Sequence, residues 1–315
     1  VLAGGRDCPI DLRVNAGAVT WVDQGSLQNS AQDGVVATIP AAGCANPDAC
    51  MTVLASDQAS PSAVEVVNGN VYWASVYDGA VWYLPAGQST REIFAAGQDW
   101  PRWLAADETA LYWINSGSLG ASNGEVRRSW LDEPGVGGMP IVSALESPLA
   151  ITLNDFTVYW TNYGVNDIDG HVMRADVTGT PWEVIAQNQS APRGIAASDA
   201  FVYWANSEDG TIMRSLPTGA DPIKLVSGLS TPSDVAIDTG AIYWVEAGTP
   251  SVFLDGSVKA AKLDGSGIVT LASDQKNPRR LVLDADHVYW INRGTAGVSP
   301  CTQHDGEVVR ITKPW

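Results

Sequence analysis

Apolar and polar positions alternate in short runs along the chain, and no segment sustains the 3.6-residue period of an amphipathic helix. The stretch AFVYWANSEDGTIMR shows the pattern. An apolar run closes on Tyr203-Trp204, a polar turn carries Asp209-Gly210, and Ile212 opens the next apolar phase. The pair recurs as Tyr72-Trp73, Tyr112-Trp113, Tyr159-Trp160, Tyr243-Trp244 and Tyr289-Trp290, with a degenerate Thr20-Trp21 ahead of them. Twelve residues before each tryptophan stands a proline: Pro9, Pro61, Pro101, Pro148, Pro192, Pro232 and Pro278. A spacing held without insertion predicts a rigid pair of strands. The first alternates, as at Val235 and Ile237; a short turn such as Asp238-Thr239-Gly240 follows; the second ends in Tyr-Trp.

Beyond each tryptophan a loop of variable length leads to a second turn: Asp33-Gly34, Asp78-Gly79, Asn123-Gly124, Asp169-Gly170, Asp209-Gly210, Asp255-Gly256 and Asp305-Gly306. Such pairs accept the positive φ of tight hairpins, so each is read as a strand reversal. Two residues past each glycine an apolar residue, from Val36 to Val308, opens a third strand, and runs such as Val53-Leu54-Ala55 supply a fourth. Four antiparallel strands in about 45 residues is the size of one propeller blade. The expectation is an all-β chain, a seven-bladed β-propeller of four-stranded antiparallel blades forming a single domain over residues 1–315. After Asp305-Gly306 only EVVRITKPW remains, while the opening VLAGGRDCP aligns without a gap on VLASDQASP (residues 53–61). Residues 1–3 are therefore expected to supply the outer strand of the last blade, closing the ring. A start at Val1 rather than Met reads as a processed or cropped product.

The phrases VYWTN, LYWIN and VYWIN resemble the YWTD repeats of low-density-lipoprotein-receptor-type propellers, and the resemblance spans the whole chain. It departs from that family in two ways. The family closes with six blades where seven are counted here, and its aspartate is replaced by Asn115, Asn162, Asn206 and Asn292. No EGF-like module accompanies the repeats. The resemblance implies an extracellular, non-enzymatic binding scaffold, with this chain a distant seven-bladed relative.

Charge narrows the partners. A net charge of −17 argues against nucleic acid and against a polybasic membrane contact. No uncharged apolar run is long enough to cross a bilayer. The four cysteines fit no zinc spacing and read as disulfides of a secreted, periplasmic or cell-surface protein. Cys8 falls in the link from blade seven to blade one, and Cys301 in a loop of blade seven on the same face, so a Cys8–Cys301 bridge is expected at the seam. Cys44 and Cys50 are expected to staple their own loop on the opposite face.

Arg128, Arg174, Arg214 and Arg310 hold one repeated place, four residues past the turn glycine, which favours a structural role. Arg102, Arg193 and Arg279 differ. Each directly follows the repeat proline, where the other blades have Ile10, Ser62, Leu149 and Ser233. They are expected to converge on one mouth of the central channel, with Arg280 adding a fourth cation, as ligands for carboxylate, sulfate or phosphate. The competing reading pairs each with a local acid such as Asp11 or Asp234. Trp100 and Trp103 flank Arg102 outside the repeated Tyr-Trp place. Trp100 offers a flat face for a sugar or aromatic ring, or else caps blade packing. The long upper loops at 22–32, 114–122, 245–254 and 291–304 would carry specificity.

His171, His287 and His304 are too dispersed for a shared metal, and no GxSxG, HExxH or phosphate-binding glycine loop is present. No catalytic or metal residue is assigned, and no cofactor is identified. The leading expectation is a monomeric binding protein taking a small anion, a glycan or a protein ligand at the mouth. The alternatives are a lyase or hydrolase on an acidic polysaccharide, and a purely structural interaction module.

Overall fold

The computed structural model describes residues 1–25, 32–118, 122–164, 166, 168–179, 181–250, 252–295 and 304–315. Among them are seven four-stranded antiparallel sheets, each ordered from the channel outward. Blade one runs Pro9–Asn15, Ala18–Asp23, Gly34–Pro40 and Thr52–Gln58, and the following blades repeat that order. Blade seven takes Pro278–Leu283, His287–Asn292 and Gly306–Thr312 from the end of the chain and Ala3–Arg6 from its start. The closing strand thus lies slightly later than residues 1–3. Ala3 pairs with Val308 and Arg6 with Gly306, while the Leu2 amide donates to the Val308 carbonyl at 2.7 Å.

Strand alternation explains the Tyr-Trp pair. Neighbouring side chains on a strand point to opposite faces, so the two aromatics serve two different blade interfaces. Tyr112 of blade three shares a core cluster with Trp160 of blade four, Tyr159 with Trp204, Tyr203 with Trp244, and Tyr243 with Trp290. At the seam Tyr289 shares one with Trp21. All seven tryptophans are buried to 1% exposure or less.

The indole nitrogens need partners in this apolar setting. Trp73 Nε1 donates to Gln58 Oε1 at 2.8 Å, Trp113 to Gln98 at 2.9 Å, Trp204 to Gln189 at 2.8 Å and Trp290 to Gln275 at 3.0 Å. Each glutamine stands three residues before the repeat proline and arrives from the preceding blade. Asn115, Asn206 and Asn292 donate to the same glutamine oxygens at 3.1, 3.1 and 2.9 Å. In blade four the glutamine place is Leu145, and Trp160 Nε1 has no partner among the described residues. In blade six Trp244 turns to Glu246 at 3.1 Å.

The second turn works differently from its sequence reading. Only Gly79 and Gly210, in the two shortest loops, take positive φ. At the other five turns the glycine opens the third strand with ordinary φ, and a side chain there would strike the repeat proline of the next blade, as at Gly124 against Pro148. Positive φ falls earlier in those loops, at glycines such as Gly117, which packs on the Asn123 side chain. Glycine is needed at the turn, but for close packing between blades.

Arg128, Arg174 and Arg214 donate to the carbonyls of Val177, Pro217 and Leu263 in the next blade at 2.9, 3.0 and 3.1 Å, and Arg310 reaches Ala41 across the seam. The repeated arginine thus clamps successive blades. Cys44 and Cys50 form a disulfide around the short helix Pro47–Cys50, which no periodicity in the sequence announces. Cys8 is buried; Cys301 lies outside the described residues, and with it the expected seam bridge.

Two outcomes follow for stability. Gln98→Leu leaves the buried Trp113 Nε1 and Asn115 Nδ2 without their acceptor, and is expected to cost about 1–3 kcal/mol in denaturant unfolding. Asp23 takes the asparagine place in blade one, and burial raises its carboxyl to about 7, with Arg6 opposing and Asp7 adding to the shift. The folded state then holds this proton more tightly than the unfolded chain. That contribution to stability is complete below about pH 4 and is lost as pH rises through about 7. Asp23→Asn should flatten the pH dependence of the melting temperature across that window.

Candidate functional site: a channel mouth lined by arginine

In every blade the residue before the repeat proline is left-handed: Cys8, Ser60, Trp100, Ser147, Ala191, Thr231 and Asn277 have φ between 48° and 62°. Its carbonyl accepts from the amide three residues past the tryptophan, as in Ser116 to Trp100 at 3.1 Å and Arg293 to Asn277 at 3.2 Å. Just inside each proline the inner strand carries a register shift. In blade seven Pro278 pairs with Asn292 and Arg280 with Ile291, leaving Arg279 as the extra residue. A bulge re-aims the side chain it carries. The residue after the proline thereby stands at the upper mouth of the channel; in blade three the shift falls one residue later, after Arg102, which pairs with Ile114.

Arg102, Arg193 and Arg279 occupy that place. Among the described residues none of them forms an ion pair, and the buried Nε atoms of Arg193 and Arg279 have no hydrogen-bond partner. Each guanidinium lies instead near an aromatic ring: Arg102 at 5.6 Å from Trp100, Arg193 at 5.2 Å from Tyr163 and Arg279 at 5.6 Å from Phe253. Arg293 joins them, donating to Cys8 Sγ at 3.1 Å and Gln24 Oε1 at 3.2 Å but, among the described residues, to no carboxylate. Burial, then Arg193 and Arg293, push Arg279 well below the usual guanidinium range; burial and then Arg102 lower Arg293, and burial lowers Arg102.

Arg280, expected beside them, is held one layer deeper. Its Nε contacts Asp11 Oδ1 at 2.8 Å, its Nη1 reaches Asp234 Oδ2 at 3.4 Å, and its guanidinium stacks at 4.0 Å on Trp103. Arg13 extends the network to Asp11 at 3.0 Å and Glu65 at 2.9 Å. The inner-strand carboxylates Asp11, Glu65 and Asp234 meet around two guanidiniums at the neck of the channel. Asp11 and Asp234 are 3% and 1% exposed, and burial raises the Asp234 carboxyl above its usual range. Among the described residues no group of three or more His, Cys, Asp or Glu is placed to hold a metal.

Two larger cavities open at the mouth, beside a smaller one of about 60 Å³ lined by Ile10, Asp11, Ser62, Arg102, Trp103 and Arg280. One, of about 310 Å³, is lined by Trp100, Arg102, Ser116, Pro148, Leu149 and Tyr163 among others. The other, of about 390 Å³, includes Arg193, Arg279, Phe253, Glu208 and Thr231. The sequence did not single out Arg293, Tyr163 or Phe253, although Arg293 and Phe253 fall in loops expected to carry specificity. Arg293 and Tyr163 stand three residues past a repeat tryptophan, so aligning that column would have exposed both. Phe253 lies in a variable loop and carries no such signal.

Similarity to solved structures follows the architecture. The chain is similar to a streptogramin B lyase, at 13% identity and TM-score 0.68, over 98% of this chain and 95% of that one. It is similar to a puromycin-hydrolyzing peptidase of Mycobacterium tuberculosis, at 13% and 0.70, over 99% of this chain but 52% of that one. A nidogen/laminin complex matches at 20% and 0.53, over 68% of this chain and 82% of that one. These likenesses show the fold. No family model matches the chain, and neither does any curated protein. The nidogen/laminin match agrees, at the level of fold, with the resemblance to YWTD propellers.

The neck network yields a direct test. Arg280→Met would leave the buried Asp234 without its guanidinium, while Asp11 keeps Arg13, and should lower unfolding stability by about 3–5 kcal/mol. Adding Asp234→Asn should recover part of that loss.

Proposed function

We propose that the protein is a secreted or cell-surface binding protein whose upper channel mouth takes an anionic ligand, an acidic glycan or a small anion. One observation carries this reading: Arg102, Arg193 and Arg279 are partly buried and lack any carboxylate partner among the described residues, and Arg279 is repelled by Arg193 and Arg293. An unpaired guanidinium in such a setting is costly. The repulsion is tolerable where a bound anion relieves it, and the planar fork suits carboxylate, sulfate and phosphate. The rest of the chain underlines the choice, since its 35 acids outnumber its 18 basic residues and the mouth still keeps its arginines unpaired. The Cys44–Cys50 disulfide supports an oxidising compartment, and no described helix is long and apolar enough to cross a membrane.

A second reading rests on the aromatic neighbours: Trp100, Tyr163 and Phe253 could satisfy the guanidiniums on their own, leaving a structural rim. Calorimetric titration with sulfate and with a polyuronate separates the two. Arg193→Ala and Arg279→Ala are each expected to weaken anion binding at least tenfold, and added sodium chloride to weaken it further. Arg279→Ala should also raise the melting temperature of the anion-free protein by removing repulsion. A structural rim would give the opposite: lower melting temperatures and unchanged affinity.

A further inference from the structure

The two larger cavities at the mouth differ in chemistry, and the difference bears on which anion fits. The one around Arg193 and Arg279 mixes hydroxyls and a carboxylate, from Ser207, Ser230, Thr231 and Glu208, with its two guanidiniums. The one beside Arg102 is a slot between blades three and four with apolar walls: the Trp100 indole, the Tyr163 phenol, the Pro148 ring and the Leu149 side chain. Its polar side-chain groups are Arg102, three serines and the Tyr163 hydroxyl, and the Ser116 hydroxyl is already turned to the Pro148 carbonyl at 3.4 Å.

Sugar rings carry hydroxyls around their edge, and each must find a partner when it leaves water. Among the described residues no carboxylate or carboxamide side chain lines this slot to receive them. A flat apolar ring makes no such demand. Its faces would be covered by Trp100 and Tyr163 in offset or edge-on contact, and an acid group on its rim would meet Arg102, which has no other anionic partner among the described residues. At about 310 Å³ the slot is at the small end of ligand cavities, suited to one or two rings.

The walls are held in place before any ligand arrives. Trp100 is fixed in the left-handed region, its carbonyl bound by the Ser116 amide at 3.1 Å, and its ring meets Tyr77 edge-on at 6.3 Å. Trp100 is nevertheless 45% exposed, a large aromatic face turned toward solvent at the entrance. Tyr163 faces the Arg193 guanidinium at 5.2 Å, so one phenol ring links the slot to the neighbouring cationic cavity.

From this geometry we infer that the Arg102 slot binds an aromatic carboxylate, with the ring between Trp100 and Tyr163 and the acid group on Arg102. The inference rests on the anion-binding reading of the mouth and narrows it to one ligand class at one of its two larger cavities.

Calorimetric titration of the intact protein at fixed ionic strength, with benzoate, cyclohexanecarboxylate, glucuronate and acetate, tests it. Benzoate should bind at least tenfold more tightly than acetate or glucuronate, with cyclohexanecarboxylate in between. Trp100→Ala removes an exposed ring and should erase that margin while leaving acetate within about twofold; Tyr163→Leu is the second variant for the same margin. Arg102→Gln should weaken all four at least tenfold. Glucuronate equal to or tighter than benzoate, or a margin untouched by both ring variants, would overturn the aromatic assignment; sulfate binding that still depends on Arg279 would then leave the anion-binding mouth standing. Loss of every anion response, sulfate included, would remove both.

Discussion

The structure depends on the alternation of tyrosine and tryptophan along the second strand of each blade. Because the two side chains face opposite ways, one dipeptide fills half of each of two interfaces, and the neighbouring blades supply the other halves. Tyr112 with Trp160, or Tyr243 with Trp290, is therefore a contact between repeats, and no blade can bury its own aromatics alone. Ring closure through Ala3–Arg6 gives the first and last blades the same arrangement as the rest. The polar edge of each indole sets a further condition, met by a glutamine from the preceding blade in four cases. Blade four, where Leu145 stands in that place, goes without it.

The same repetition prepares the mouth. A left-handed residue, a proline and a bulge recur at the top of every inner strand, so seven equivalent positions face the channel rim whatever side chain they bear. The framework is common to all blades and the chemistry is local. Three of the seven positions are arginine, and Arg293 enters from the adjoining column. One layer below, Arg13 and Arg280 are matched by Asp11, Glu65 and Asp234. Cations thus occur in two settings a few residues apart: neutralised by carboxylates at the neck, and without a carboxylate partner among the described residues at the rim.

That contrast also explains why similarity of fold says little about activity here. A lyase, a peptidase and a nidogen/laminin complex share the architecture at 20% identity or less, because the interfaces that define it are indifferent to what the rim carries.

Sequence periodicity by itself determined the seven blades, the four strands of each and the return of the amino-terminal segment to the last one, since fixed spacing between Pro and Trp survives any change of loop. It also placed Arg102, Arg193 and Arg279 together, because equivalent positions in a closed ring must converge. Contacts between residues distant in the chain were beyond it. Arg280 follows Arg279 directly, yet the pleat and bulge turn one to Asp11 and Asp234 and the other to the open mouth, a division only the paired strands decide. The turn glycines were legible as necessary, but their reason, the proline ring of the next blade, exists only once blades pack. The phenyl ring of Phe253 beside Arg279 depends on the path of an irregular loop, for which the repeat holds no template.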